Sequence, residues 1–264
     1  MSLWLQLHIF FGKKRSGGVF VRCKLICCEV FSREIYKELL ENDNTVFPVF
    51  TEIMSHNYPD FLREQIQQEI DKTEPVNFDY VLLGYGLCGN AINGIYARAV
   101  PIVIPRAHDC CTILLGSKEA YQTHFAHRPS CRWTSGGNIK SGDISLRENE
   151  LHSFHELNIS YGELVEKYGE DNATYIIESL TPKDSSENKM VFIQTPPYDK
   201  LNYKDKVEKA AENKGCQFEL IEGNTRLLRM LLNGVWPEEE FLVIPPGFHV
   251  EAVYDPVQVI KAEP

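Results

Sequence analysis

Two apolar runs, "FDYVLLGYG" (78–86) and "AVPIVIPR" (99–106), constrain this chain most. Each falls far short of the ~18 residues that cross a bilayer. Neither alternates with polar residues as a half-exposed strand does. A short run that is apolar on both faces reads as a central strand of a parallel sheet, covered by helices on each side. The flanking segments supply the helices. "SREIYKELLEN" places Ile35, Leu39 and Leu40 at helical spacing, with Ser32 as a candidate N-cap. "PDFLREQIQQEIDK" is amphipathic and opens on Pro59, a residue suited to a first helical turn. "CKLICCEVF" reads as the first strand, and "NTVFPVFTEI" as a second whose Pro48 belongs at a sheet edge.

The remaining elements follow the same alternation. "LCGNAINGIYARA" predicts a short helix, "KEAYQTHFAHR" another, and residues 129–150 a long irregular loop. "YGELVEKYGEDNATYIIESL" predicts a helix interrupted near Gly169. A second set runs strand "KMVFIQTP", helix "YKDKVEKAAENKG" to Gly215, strand "CQFELIEGN", helix "TRLLRMLLNG" closed by Gly234, and strand "EFLVIPPG". The predicted class is α/β. It is a Rossmann-like parallel sheet with helices on both faces, arranged as two βαβαβ halves around a cleft or as one doubly wound sheet. The expected division is an extension over 1–20 outside the fold, a first half over 21–180 and a second over 181–264. Val21 is read as a start codon decoded as valine, and a genuine amphipathic extension is the alternative.

Charge narrows the partners. With 27 Lys and Arg against 37 Asp and Glu, the net charge is −10, and the basic residues form no block beyond Lys13-Lys14-Arg15. Binding nucleic acid requires clustered cations that displace counterions, so no nucleic-acid partner is expected. No membrane partner is expected either. The apolar start precedes its basic residues, the reverse of an export signal, so the expected location is cytoplasmic. In that compartment the eight cysteines read as packing, catalytic or metal-binding rather than disulfide-forming.

Ligands of open α/β sheets bind beyond the carboxyl ends of the strands. The four strand ends of the first half carry Cys28, then His56, then Gly84 to Asn90, then Arg106 to Cys110. Neighbouring strands lie ~5 Å apart, so these ends converge on one volume. Cys28, His56, Cys88, His108 and Cys110 are the candidate metal ligands. Thiolate and imidazole suit zinc or iron, and a sulfur-rich set suits an iron–sulfur cluster. Cys88, His108, Asp109 and Arg106 are the candidate catalytic residues, with Asp109 orienting His108 and Arg106 neutralising an anion. Gly84, Gly86, Gly89 and Asn90 are the candidate backbone for approach to a cofactor. The three glycines also fit a dinucleotide fingerprint, with Asp109 where an acidic residue ~20 positions later is wanted. Plainer roles stand beside these. Cys23, Cys27 and Cys111 read as core, and His108-Asp109-Cys110 also fits a helix N-cap.

"CEVFSREIYKEL", "FDYVLLGYGLCGNAINGI", "VPIVIPRAHDCCTILLGSKEAY", "EKYGEDNATYIIESL" and "EFLVIPPG" together resemble the prokaryotic family called domain of unknown function 1638. The resemblance covers about residues 22 to 248. Its motif cysteines fall on Cys28, Cys88 and Cys110 and its histidines on His56 and His108. Cys111 stands where members carry an aliphatic residue, and "TSGGN" (134–138) where they carry an aromatic stretch. Members of that family are common among anaerobes, and some accompany corrinoid-dependent methyl-transfer proteins. That implies a role in methyl-group or one-carbon metabolism, with a corrinoid protein as partner.

Three functional readings follow. The first is a metal-binding protein, and an enzyme on a small-molecule substrate, with a Cys/His centre of zinc or iron. The second is a non-catalytic module for a small ligand or a corrinoid protein. The third is a metal-free cysteine nucleophile, Cys88 or Cys110, activated by His108.

Overall fold

The computed structural model describes residues 20–53, 55, 58–128, 131–142, 161–170, 172–174, 189–253, 255 and 258–264. Its first sheet contains strands β1 (Arg22–Cys28), β2 (Thr45–Thr51), β3 (Tyr80–Gly84), β4 (Ile102–Pro105) and β8 (Phe241–Ile244) in the order β2-β1-β3-β4-β8. The first four are parallel. β8 runs antiparallel to β4, pairing Ile102 with Ile244 and Pro105 with Phe241. The expected all-parallel sheet is thus corrected to a mixed one. Pro48 does lie on an edge strand, β2, where its missing N–H leaves no central ladder broken.

A second sheet is parallel throughout, in the order β5 (Arg132–Ser135), β6 (Lys189–Gln194), β7 (Gln217–Glu222). The sheets interleave along the chain: β5 precedes residue 180 yet pairs with β6, and β8 follows it yet pairs with β4. A hairpin of β9 (His249–Ala252) and β10 (Ile260–Glu263) closes the chain.

The helices are α1 (Ser32–Leu39), α2 (Pro59–Asp71), α3 (Cys110–Leu115), α4 (Lys118–Phe125), α5 (Gly136–Lys140), α6 (Tyr161–Tyr168), α7 (Tyr203–Asn213) and α8 (Arg226–Asn233). Pro59 opens α2 as expected. Ser32 is the first residue of α1 rather than its cap, because a single 3-10 turn over Glu29–Phe31 leads directly into the helix. Gly169, Gly215 and Gly234 adopt positive φ, the left-handed conformation that ends a helix at low cost to glycine.

Three expectations are corrected here. The segment "LCGNAINGIYARA" is a series of turns with one bridge from Tyr96 to His249, not a helix. Cys88, Gly89 and Asn90 all have positive φ, which a right-handed helix excludes. The loop expected over 129–150 contains β5 and α5, elements too short for periodicity to reveal. The strand "EFLVIPPG" is not the last, since β9 and β10 follow it.

Alternation along the central strands builds two cores, as a side-chain period of two requires. Leu25, Leu82 and Val103 point to one face, where they meet Ile113, Leu228 and Leu231 of α3 and α8. Ile26, Val81, Leu83 and Ile104 point to the other, against Leu62, Ile66 and Ile70 of α2 and Val250 and Ile260 of the hairpin. Both faces of the sheet are therefore covered. Val191, Ile193 and Ile221 of the second sheet join the first of these cores, so one apolar cluster spans the two sheets. Each such aliphatic side chain contributes roughly 1.5–3 kcal/mol on burial.

Candidate functional site

The loops after β3 and β4 are bound to one another along their length. The Leu87 amide donates to the Ala107 carbonyl at 2.8 Å and the Cys88 amide to the His108 carbonyl at 3.0 Å. Two glycines make this approach possible. A Cβ on Gly86 would stand 2.6 to 2.8 Å from the Asp109 backbone, and one on Gly84 would stand 2.3 Å from Cys27 Sγ. Both therefore admit neighbouring protein atoms, where a cofactor had been expected. Beyond them the chain turns through Cys88 (φ 46°), Gly89 (φ 62°) and Asn90 (φ 69°). For a cysteine this conformation costs about 1–2 kcal/mol, and such strain concentrates at functional turns. The Asn90 carbonyl accepts from Arg63 Nη2 at 2.8 Å, which holds the turn against α2.

This turn brings three of the sequence-predicted thiols into one neighbourhood. Cys28 leaves β1, Cys88 sits in the turn after β3, and Cys110 opens α3 after β4. All three are half-buried free thiols in a densely packed rim. Burial pushes the Cys28 thiol up to about 11, with the Glu29 charge adding and a Val30 backbone hydrogen bond opposing. Burial pushes Cys88 up to about 12, reinforced by Cys28 and Asp109. Cys110 is pushed well above the ordinary thiol range by burial and then by Cys88, Asp109 and Cys28. Cys28 thus disfavours ionisation of Cys88, and both disfavour that of Cys110. Cys23, Cys27 and Cys111 are fully buried in the core, as expected.

The structure distributes the other expected site residues differently. Asp109 is the N-cap of α3: its Oδ1 accepts from the Thr112 amide at 2.9 Å and the Thr112 hydroxyl at 3.0 Å. Burial raises its carboxyl, and the Thr112 hydrogen bonds, followed by the neighbouring His108, partly offset that. His108 itself is exposed. Arg106 is committed to backbone carbonyls. Its guanidinium donates to the carbonyls of Glu238 (2.7 Å), Gln258 (2.9 Å) and Ile260, and so anchors the C-terminal hairpin. Gly89 and Asn90 lie exposed at the tip of the turn. His56 lies outside the described residues. Among the described residues, no three His, Cys, Asp or Glu side chains are placed to hold one metal ion as they stand.

A second polar cluster escaped the sequence reading. Glu34 and Glu38, four apart on α1, are both buried. Glu34 Oε1 accepts from the Thr195 hydroxyl at 2.7 Å, and Glu38 Oε1 accepts from the Thr225 hydroxyl at 2.6 Å. The cue was present: both carboxylates share the face of α1 that carries Ile35, a position where an exposed helix places apolar residues.

The model of the family described as "Protein of unknown function (DUF1638)" matches residues 50–232. The chain belongs to this family. No curated protein and no solved structure matches it. The match to the DUF1638 family takes in the Cys88 turn and the Cys110 helix and begins after Cys28. Among the described residues, no helix of this DUF1638 member is long and apolar enough to cross a membrane.

Proposed function

We propose that the rim above β1, β3 and β4 is a thiolate metal centre in which Cys28, Cys88 and Cys110 take zinc or iron, the latter as an ion or an iron–sulfur cluster. The reading rests on one observation: three free cysteines stand at or just beyond the carboxyl ends of three adjacent strands, β1, β3 and β4. Without a cation, such a trio remains protonated at neutral pH and carries no useful chemistry. A bound cation reverses the balance, because coordination deprotonates a thiol outright. The donor set fits a soft, sulfur-preferring metal. Shared coordination would require these side chains to turn between staggered rotamers. His108 or His56 would supply a further ligand. When bound, the metal would supply a Lewis acid or an activated thiolate.

The chain's own residues have definable parts in this reading. Gly86 and the amides of Leu87 and Cys88 hold the two loops in register. Asp109 fixes the start of α3 and with it the Cys110 side chain. The metal-free nucleophile is not advanced, because a nucleophilic cysteine needs a lowered pKa and these are raised. The family resemblance extends the proposal to methyl or sulfur transfer to a small molecule beside a corrinoid protein, in the cytoplasm of an anaerobe.

Titration of the reduced protein with cobalt(II) tests the centre. A thiolate-to-cobalt absorption band that saturates at about one equivalent and disappears in Cys88→Ser is expected. Absence of the band, or its persistence unchanged in Cys88→Ser and Cys110→Ser, would overturn the reading.

A further inference from the structure

Glu34 and Glu38 join the two sheets through one helix. α1 leaves the carboxyl end of β1, and its two buried carboxylates reach the carboxyl ends of β6 and β7. Thr195 is the first residue after β6, and Thr225 stands three residues beyond β7. The two links are alike in geometry and opposite in charge balance. Glu38 is satisfied on both oxygens: Thr225 donates to Oε1, and Arg229 Nε donates to Oε2 at 2.7 Å. Among the described residues, Glu34 Oε1 accepts from Thr195, and Oε2 is buried without a hydrogen bond. The Tyr198 hydroxyl, in the 3-10 turn over Pro196–Tyr198 that follows β6, is likewise buried without a hydrogen bond. A buried unpaired oxygen of this kind is unfavourable and calls for a physical explanation.

We propose that α1 clasps the second sheet by one fixed link, Glu38–Thr225–Arg229, and one proton-operated link, Glu34–Thr195, and that loss of the Glu34 proton releases the turn Thr195–Leu201 from α1. The groups that face Glu34 support this. Burial, the leading effect, raises its carboxyl to about 7. The Thr195 hydrogen bond, Arg33 on α1 and Lys140 on α5 oppose the rise without cancelling it. Cys27 of β1 and Tyr198 are the other titratable groups in its field, and its charge raises both. Arg33 also lies 5.5 Å over the Tyr198 ring. Glu38, by contrast, is held low: burial pushes it up, but Arg229 and Thr225 outweigh that. Only one of the two links therefore responds to pH near neutrality.

The sign follows from linkage. In the closed state Glu34 titrates near 7, whereas in an open, hydrated state it returns towards 4.5. The open state then gains population about tenfold per pH unit between those values and levels off above the upper one. The clasp is independent of the thiol centre, so it stands or falls separately from the metal proposal.

Hydrogen exchange of the full chain, corrected for intrinsic rates, tests it at pH 5 and pH 7. Protection of the peptide spanning Ile193–Leu201 should fall at least about tenfold from pH 5 to pH 7 in the wild type. The same peptide in Glu34→Gln should change less than about threefold. The Arg226–Asn233 peptide should change little in either protein, and Glu38→Gln should leave the pH response of the first peptide intact. Thr195→Ser, which keeps the hydroxyl, should behave as wild type. A wild-type peptide with no pH response overturns the proposal whether or not Glu34→Gln folds. A response that survives in Glu34→Gln also overturns it.

Discussion

Gly86 lies against Asp109 so closely that a Cβ on the glycine would meet the Asp109 nitrogen at 2.6 Å. The turn that carries Cys88 and the helix start that carries Cys110 are set by this contact. The atoms in the way belong to backbone, which cannot swing aside as a side-chain tip can. Gly86→Ala should therefore destabilise the fold by about 1–3 kcal/mol, the usual cost of forcing extra volume into packed structure. Urea unfolding measures the loss. Gly89→Ala meets no crowding beyond Pro59 at 3.9 Å and should pay only for its positive φ, about 1 kcal/mol.

Asp109 caps α3 through Thr112. Asp109→Ala should cost about 1 kcal/mol, and Asp109→Asn, which keeps the accepting oxygen, only a few tenths. Had Asp109 served chiefly to orient His108 as a charged partner, Asn and Ala would cost the same in any His108-dependent activity. Thermal unfolding of the two variants gives the stability ranking.

Arg106 holds three carbonyls of the C-terminal segment. Arg106→Ala should leave buried carbonyls unpaired and cost about 2–3 kcal/mol, since hydrogen bonds to a charged group exceed neutral ones. Amide exchange should quicken over His249–Glu263, while the peptide over Tyr80–Gly84 stays protected. Arg106→Lys should recover little, because one ammonium cannot reproduce a guanidinium's planar fork.

Glu219 on β7 receives Arg128 Nη1 and Nη2 at 2.6 and 2.7 Å and Lys189 Nζ at 3.0 Å. Arg128 foremost, with Lys189, lowers its carboxyl to about 2 against partial burial. A lowered carboxyl contributes stability that is present above its unfolded value near 4.5 and is lost as pH falls through 2. Glu219→Gln should cost roughly 1–2 kcal/mol at pH 7, discounted because the pair is partly solvated, and the cost should shrink steadily below pH 4.5. Denaturation of both proteins across pH 2 to 7 measures the difference.

The central sheet was legible because β1, β3 and β4 are buried on both faces, and a strand buried that way has no polar alternation to confuse it. β5 was not legible: four residues, "RWTS", carry too little pattern to separate a strand from a loop. β8 reads as a strand in the sequence, but its antiparallel direction does not. An apolar tetrapeptide carries no mark of direction, and its antiparallel seat beside β4 is fixed by tertiary packing and by the carbonyls Arg106 holds. That Cys28, Cys88 and Cys110 stand at neighbouring strand ends followed from the order of apolar strands. Arg106 was misplaced by the carboxyl-end rule, since the rule locates a strand end and not the direction of a long side chain. Glu34 and Glu38 were overlooked because charged residues on an amphipathic helix ordinarily face solvent. Only the second sheet, whose threonines receive them, gives them a buried seat.

The most direct test is the metal content of the protein purified without oxygen or chelator, beside Cys28→Ser, Cys88→Ser and Cys110→Ser. About one equivalent of zinc or iron per chain, or the several irons of a single cluster with matching sulfide, is expected in the wild type. Loss of most of it is expected in each variant. Less than about half an equivalent in the wild type, unchanged by the substitutions, would contradict a thiolate metal centre at this rim.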